Sequence, residues 1–287
     1  MLKQIVTLET ISGEERLYHY TKCGGVQGIL AGRSFRATRS DFLNDTNEMQ
    51  YILSVVRPVI REAKQEEWQR LLLEQAVDTA REIRKRAYYI TAFSTEADSI
   101  TLWAEFGDQT GYNIGFDSRR LLERIEKERA ISYHGFVVYS AKRQFELLWE
   151  LLYCRIPAAL GLSFEEIMER GAEDRGDILF QKLCRNLKKA LEVYALFFKQ
   201  EEFAAECEYR LVFSEKEDRE VFFREKDGFL LPYIWVNTAG GKTKFPIRSI
   251  TVAPKNHVDL AREGMKLYVE KMGYEVEVGL SRIKLRY

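Results

Sequence analysis

Leu17-Tyr-His-Tyr-Thr21 is a short run of alternating side chains. It passes at once into a glycine-punctuated helical segment near Gly25–Gly32 and then a second short strand, Phe35–Thr38. A strand, a short helix and a strand this close together commit the start of the chain to a mixed domain. One of only three histidines, His19, sits on that first strand. Alternation puts His19 on one face with Leu17 and Thr21, and Tyr18 and Tyr20 on the other. A polar cluster on a first strand has the character of a ligand cleft. The alternative is a structural hydrogen bond made by His19 at a strand end.

Helices and strands follow in irregular order. From about Asp45 to Arg86 the spacing of Met49, Ile52, Val55, Val56 and Ile60 predicts helix, kinked or divided at Pro58. Tyr88–Phe93 reads as strand, Asp98–Phe106 as a short helix, and Gly111–Phe116 and Phe136–Ser140 as further strands. The stretch from Ala141 to about Lys199 is strongly helical. The last third is mostly strand: Glu206–Phe213, Glu220–Arg224, Leu230–Val236 and Ile247–Ala253. A helix at Val258–Met272 and a strand at Tyr274–Leu280 close the chain. Strands scattered among helices without regular βαβ alternation indicate an α+β fold. The simplest organisation is one domain over 1–287 with a helical insertion at about 141–200.

Composition narrows the partners. Forty-four basic residues balance forty-four acidic ones, which argues against a broad nucleic-acid-binding face. No apolar run reaches the roughly 18 to 20 residues of a membrane span. The opening Met1-Leu-Lys-Gln-Ile-Val-Thr7 is too short and polar for a secretory signal. A cytoplasmic location without membrane partners is the expectation, and Cys23, Cys154, Cys184 and Cys207 are then reduced thiols. Their spacing and the three scattered histidines do not compose a zinc site, so no metal is expected. No GxxxxGK[ST] or GxGxxG run follows a strand.

Four segments carry residues suited to chemistry. Glu206-Cys-Glu-Tyr-Arg210, read as a strand, puts Glu206, Glu208 and Arg210 on one face, the two carboxylates roughly 6 to 7 Å apart at the backbone. An exposed salt-bridge row explains such a pattern, and so does a catalytic carboxylate pair. Ser94 ends the Tyr88–Phe93 strand, with Trp103 on the helix behind it. In Asp41-Phe-Leu-Asn-Asp45 with Glu48, Asn44 or Asp45 suits a helix N-cap.

Taken in order, these segments resemble a bacterial family known as domain of unknown function 2971. They are Tyr18–Thr21, Phe42–Asp45 with Glu48, Phe93-Ser94 with Trp103, Gly111–Phe116, Phe198-Lys199, Glu206–Arg210, Ile250–Pro254 and Ser281–Arg286. The first strand and its Gly-Ile-Leu helix are also similar, more distantly, to ADP-ribosyltransferases. That resemblance implies a split mixed β-sheet core, NAD as substrate, and cleavage of the nicotinamide–ribose bond. It implies NAD binding by His19, Tyr20, Thr21, Ser94 and Trp103, catalysis by Glu208 or Glu206, and a pyrophosphate contact from Arg39 or Arg210. Tyr20 stands where the diphtheria-toxin-like branch has Gly, and the Glu-x-Glu spacing is closer to arginine-modifying toxins. The activity implied is ADP-ribosyl transfer to an acceptor macromolecule, as a toxin or antiphage defence effector, or NAD hydrolysis when water is the acceptor. The competing expectation is a catalytically silent module binding a small nucleotide ligand on the same scaffold.

Overall fold

A computed structural model of the protein describes residues 2–12, 15–43, 48–62, 66–78, 88–107, 110–128, 131–214, 220–226, 228–238, 242–255 and 258–284. The chain is mixed α and β and divides into two compact units. One comprises Met1–Glu9, Leu43–Ala87 and Val137–Ala204, and the other Thr10–Phe42, Tyr88–Phe136 and Ala205–Tyr287.

The first unit is helical. Its helices span Glu48–Glu62, Glu67–Asp78, Ala141–Glu150, Phe164–Glu173 and Ile178–Tyr194, and a π turn at Leu151–Arg155 leads into Ile156–Leu160. Start signals are local: Ser140 caps one helix, Ser163 and Glu166 form a capping box, and Asp177 caps the longest. The apolar stripes close on one core containing Ile52, Val56, Ile60, Leu147, Leu151, Leu183, Leu187 and Leu191. Pro58 does not divide its helix as expected, because the Glu48–Glu62 helix runs through it. Proline in a helix interior costs about 3 kcal/mol. Complete burial of Ile52, Val59 and Ile60 outweighs that. The expected cap at Asn44 or Asp45 lies outside the described residues, as do residues 79–86 and, at the chain end, Leu285 and Arg286.

The second unit is built on ten strands: β1 Arg16–Thr21, β2 Ser34–Arg39, β3 Tyr88–Ser94, β4 Tyr112–Asp117, β5 Tyr133–Phe136, β6 Glu208–Ser214, β7 Phe222–Lys226, β8 Phe229–Asn237, β9 Ile247–Val252 and β10 Glu277–Leu280. All pairs are antiparallel except β9 with β10. The sheet forks at β3. One edge of β3 pairs with β6 along its whole length, from Tyr88↔Ser214 to Ser94↔Glu208, and β6 carries β5 on its far side. The other edge is shared. Tyr89 and Ile90 pair with β2, and Ser94 pairs with Tyr18 of β1. Beyond β1 the sheet continues through β4, β9 and β10, and beyond β2 through β8 and β7.

Helices Cys23–Gly32, Ile100–Phe106, Ser118–Glu128 and Val258–Lys271 belong to this unit. An aromatic cluster of Phe35, Phe93, Phe116 and Phe245 links β2, β3 and β4 in its core. The elements depart from the sequence reading in places, the last strand for example beginning at Glu277 and not Tyr274. The strand expected at Phe136–Ser140 is β5, ending at Phe136, and Val138 makes only an isolated bridge to Phe198. The Ser118–Glu128 helix was not anticipated, because a mostly charged segment shows only Leu121 and Ile125 to the core.

Gly171 in the helical unit gives a test of its packing. A Cβ there would lie 2.5 Å from the Phe180 ring, which is itself buried. Alanine gains about 0.5–1 kcal/mol of helix propensity over glycine, but overpacking a closed core costs about 1–3 kcal/mol. Overpacking wins, so Gly171→Ala should lower unfolding free energy by about 1 kcal/mol in denaturant titration. A stabilised variant would show that Phe180 is free to move.

Candidate functional site

The fork leaves one backbone group of β3 without a strand opposite it. Along this edge Ile90 meets Thr38 of β2 and Ser94 meets Tyr18 of β1, with Ala92 between them. A strand carbonyl with no strand opposite it needs another partner, and His19 supplies one: its Nδ1 lies 3.1 Å from the Ala92 carbonyl oxygen. A carbonyl only accepts, so Nδ1 carries the proton and neutral His19 presents the Nε2 lone pair. The ring sits edge-on to Phe35 and tilted against Phe93. Burial among these rings pushes the imidazole below its ordinary value of 6.5; the Ala92 hydrogen bond opposes the shift and the charge of Arg224 adds to it.

Ala92 itself is exposed, although it lies in the central strand. Its neighbours Thr91, Phe93 and Ser94 are buried. A small exposed residue in mid-sheet leaves that face of the sheet open to solvent. Side chains in its row and the next follow from register. Tyr18, Ser94 and Glu208 lie directly across from one another on β1, β3 and β6, and Arg210 lies across from Ala92. Adjacent strands stand about 4.8 Å apart, so Tyr18 and Glu208 are about 10 Å apart at the backbone.

Glu208 and Arg210 form a forked ion pair. Arg210 Nε donates to Glu208 Oε1 and Nη2 to Oε2, both at 2.8 Å. The side chains are 10 % and 2 % exposed, so both charges are nearly withdrawn from water. Glu206 does not share their row. It ends a 3₁₀ turn, Glu201–Glu206, and Cys207 takes the left-handed region at φ 43° before β6 begins at Glu208. The expected in-line triple Glu206, Glu208, Arg210 is therefore broken by one backbone rotation.

The remaining predicted residues hold the loop after β3. Ser94 Oγ donates to the Glu206 carbonyl at 2.7 Å and accepts from the Glu96 amide at 3.0 Å. Tyr20 donates its hydroxyl to the Glu96 carbonyl and accepts from the Ser99 amide. Trp103 is completely buried, 4.8 Å from the Tyr20 ring, and its indole N–H donates to Asp98. Thr21 packs on the helix start: a Cβ at Gly25 would fall 1.9 Å from Thr21 Oγ1. Arg39 forms an ion pair with Asp41 at 2.9 Å. Burial, with the nearby charge of Glu96, pushes the Cys207 thiol up, so it is a poor nucleophile.

On one face of the β3–β6 pair the structure sets Ser94, Glu208 and Arg210, in row with Tyr18; His19 alternates to the other face with Phe35 and Phe93, and Tyr20, Trp103 and Thr21 act as support. Sequence reading missed Ala92 and Tyr18 as parts of the site. The signal was a lone alanine in the bulky run Tyr88-Tyr-Ile-Thr-Ala-Phe93.

Residues 102–211 match a family described as Protein of unknown function (DUF2971). No curated protein and no solved structure matches the chain.

Two outcomes follow from this geometry. Glu208→Gln removes the carboxylate charge bound by buried Arg210 and should cost about 3 kcal/mol, much of it recovered in Glu208→Gln/Arg210→Met, as measured by denaturant unfolding. A loss below about 1 kcal/mol would mean the pair is solvated. The lowered His19 value makes the unfolded chain bind more protons than the native one. Stability from neutral His19 is present above pH 6.5 and lost as pH falls below it. Against His19→Asn, which keeps an N–H for Ala92, the wild type should lose up to about 1.4 kcal/mol more per pH unit in this range. Parallel pH profiles would place His19 in water.

Proposed function

We propose that the sheet unit takes NAD as substrate and transfers its ADP-ribosyl group. The observation that supports the reading is the forked sheet, where His19 bonds the Ala92 carbonyl from one face and the Tyr18–Ser94–Glu208 row brings a carboxylate to the other face two strands away. The Nε2 lone pair of His19 suits a ribose hydroxyl, which donates to it. Glu208 lies in the row that leads from the fork. Cleavage breaks the C1′–nitrogen bond, whose electron pair leaves with nicotinamide, while an acceptor nucleophile forms a new bond to C1′. Positive charge grows on the ribose ring in between, and an ionised carboxylate stabilises it. Arg210 fixes the Glu208 rotamer through two hydrogen bonds. An acceptor hydroxyl, amine or guanidinium gives ADP-ribosylation, and water gives NAD hydrolysis. A role as a toxin or antiphage effector belongs to the same proposal.

A second reading is a ligand-binding module without turnover. The specific observation in its favour is the same ion pair, since a carboxylate accepting two N–H bonds from a buried guanidinium is already structurally employed. The fully buried Trp103 also leaves no indole face for a heterocycle.

Nicotinamide release from NAD by the purified protein separates the two. The transfer reading expects release that falls at least 100-fold in Glu208→Gln, corrected for the folded fraction, and persists in Glu206→Gln. NAD binding without release would establish the binding module. Neither binding nor release would overturn both readings.

A further inference from the structure

The arm β2–β8–β7 carries two arginines for which the site above has no use. Arg36 of β2 lies directly across from Trp235 of β8, and its guanidinium sits 5.1 Å from the Trp235 ring centre and 5.3 Å from that of Tyr233. On the far side of β8, Phe222 of β7 pairs with Tyr233 and Arg224 pairs with Leu231. Alternation puts Arg36, Thr38, Tyr233, Trp235, Phe222 and Arg224 on one face. Arg39, two positions past Ala37 and one past Thr38, points the other way and is paired with Asp41.

Among the described residues neither Arg36 nor Arg224 makes an ion pair. Arg224 has its Nε buried with no hydrogen-bond partner, although five guanidinium N–H groups ordinarily find acceptors. The charges of Arg36 and Arg224 oppose each other, and Arg36 lies over the Tyr233 ring. Like charges on one strand face, one over an aromatic floor and the other with a buried donor unused, call for an anion to balance them. The planar fork of arginine matches phosphate oxygens two at a time.

We propose that Arg36 and Arg224 form a diphosphate-binding site on the β2–β8–β7 face. A diphosphate carries the charge two guanidinium groups call for, and it occurs free or inside a nucleotide. The site stands on these residues alone and does not require cleavage of the nicotinamide bond. It borders the fork, since β2, which carries Arg36, forms one side of it.

Calorimetric titration of the full chain with inorganic pyrophosphate tests it, with ADP-ribose as a second probe. Arg36→Gln and Arg224→Gln should each weaken pyrophosphate binding at least tenfold. Arg248→Gln, which removes an exposed partner of Asp117 in the same unit, should leave it unchanged. Melting curves verify folding, and Arg36→Lys and Arg224→Lys replace any glutamine variant that fails to fold. These should still weaken binding, because lysine keeps the charge without the fork. Equal affinity in wild type and both arginine variants, or no binding by wild type, overturns the site. Tighter binding of ADP-ribose than of pyrophosphate, lost in the same variants, identifies a nucleotide as the source of the diphosphate; equal binding identifies the free anion. If pyrophosphate binds through both arginines while no nicotinamide is released, the site stands and the transfer reading falls. If nicotinamide is released while the variants bind pyrophosphate like wild type, the reverse holds.

Discussion

The hydrogen bond between His19 and the Ala92 carbonyl is the constraint on which the sheet unit turns. A continuous sheet would satisfy every carbonyl along β3 with a neighbouring strand. Here β1 and β2 each take part of one edge, and the residue between them must find another partner. An imidazole suits this gap because it reaches from a neighbouring strand, donates one N–H and still offers a second nitrogen. The fork therefore makes a gap in the sheet and furnishes it with a polar group in one step. Phe35 and Phe93 pack against the ring and against each other, so its orientation is fixed by packing as well as by the bond.

Glu208 and Arg210 solve a different problem. Two charges on an interior strand are tolerable only as a pair, and their bidentate geometry satisfies both carboxylate oxygens. That pairing couples stability to function: any variant that removes the carboxylate also strands the guanidinium. Loss of activity in such a variant has two possible origins, and only comparison at equal folded fraction separates them. His19 is less entangled in this respect. An asparagine can keep its bond to Ala92 while removing the second nitrogen, so the backbone role and the ligand role come apart experimentally.

Local patterns were the legible part of the chain. The alternation in Leu17–Thr21 gives β1, the apolar spacing of Ile178, Leu183, Leu187 and Leu191 gives the longest helix, and both occur close to where they were expected. The fork was not legible from periodicity, because it depends on which strands meet, and no local pattern encodes pairing between residues 18 and 94. Strand alternation also misled at Glu206: the left-handed Cys207 is a single dihedral change, and an L-residue there leaves no mark on composition. Isolated charged positions were equally opaque. Arg36 and Arg224 are ordinary surface residues in sequence, and only the register β2–β8–β7 puts them on one face.

The aromatic members of the motif show why a sequence pattern and a binding site need not coincide. Tyr20 and Trp103 stand beside the residues of the fork, yet their rings pack on each other and their polar atoms tie down Glu96, Asp98 and Ser99. Asn113 adds a bond to the Ala97 carbonyl, and Ser281 and the Arg282 amide complete the shell around Asp98. A five-residue loop thus receives anchors from β1, β4, the helix behind it and the end of the chain. Such a loop has little freedom to move, and it follows directly from Ser94, whose hydroxyl in turn holds the Glu206 carbonyl. The start of β6, and with it the position of Glu208, is therefore set by residues that touch no ligand. Selection for a precise carboxylate position would act on Tyr20 and Trp103 through this chain of hydrogen bonds as strongly as on Glu208 itself.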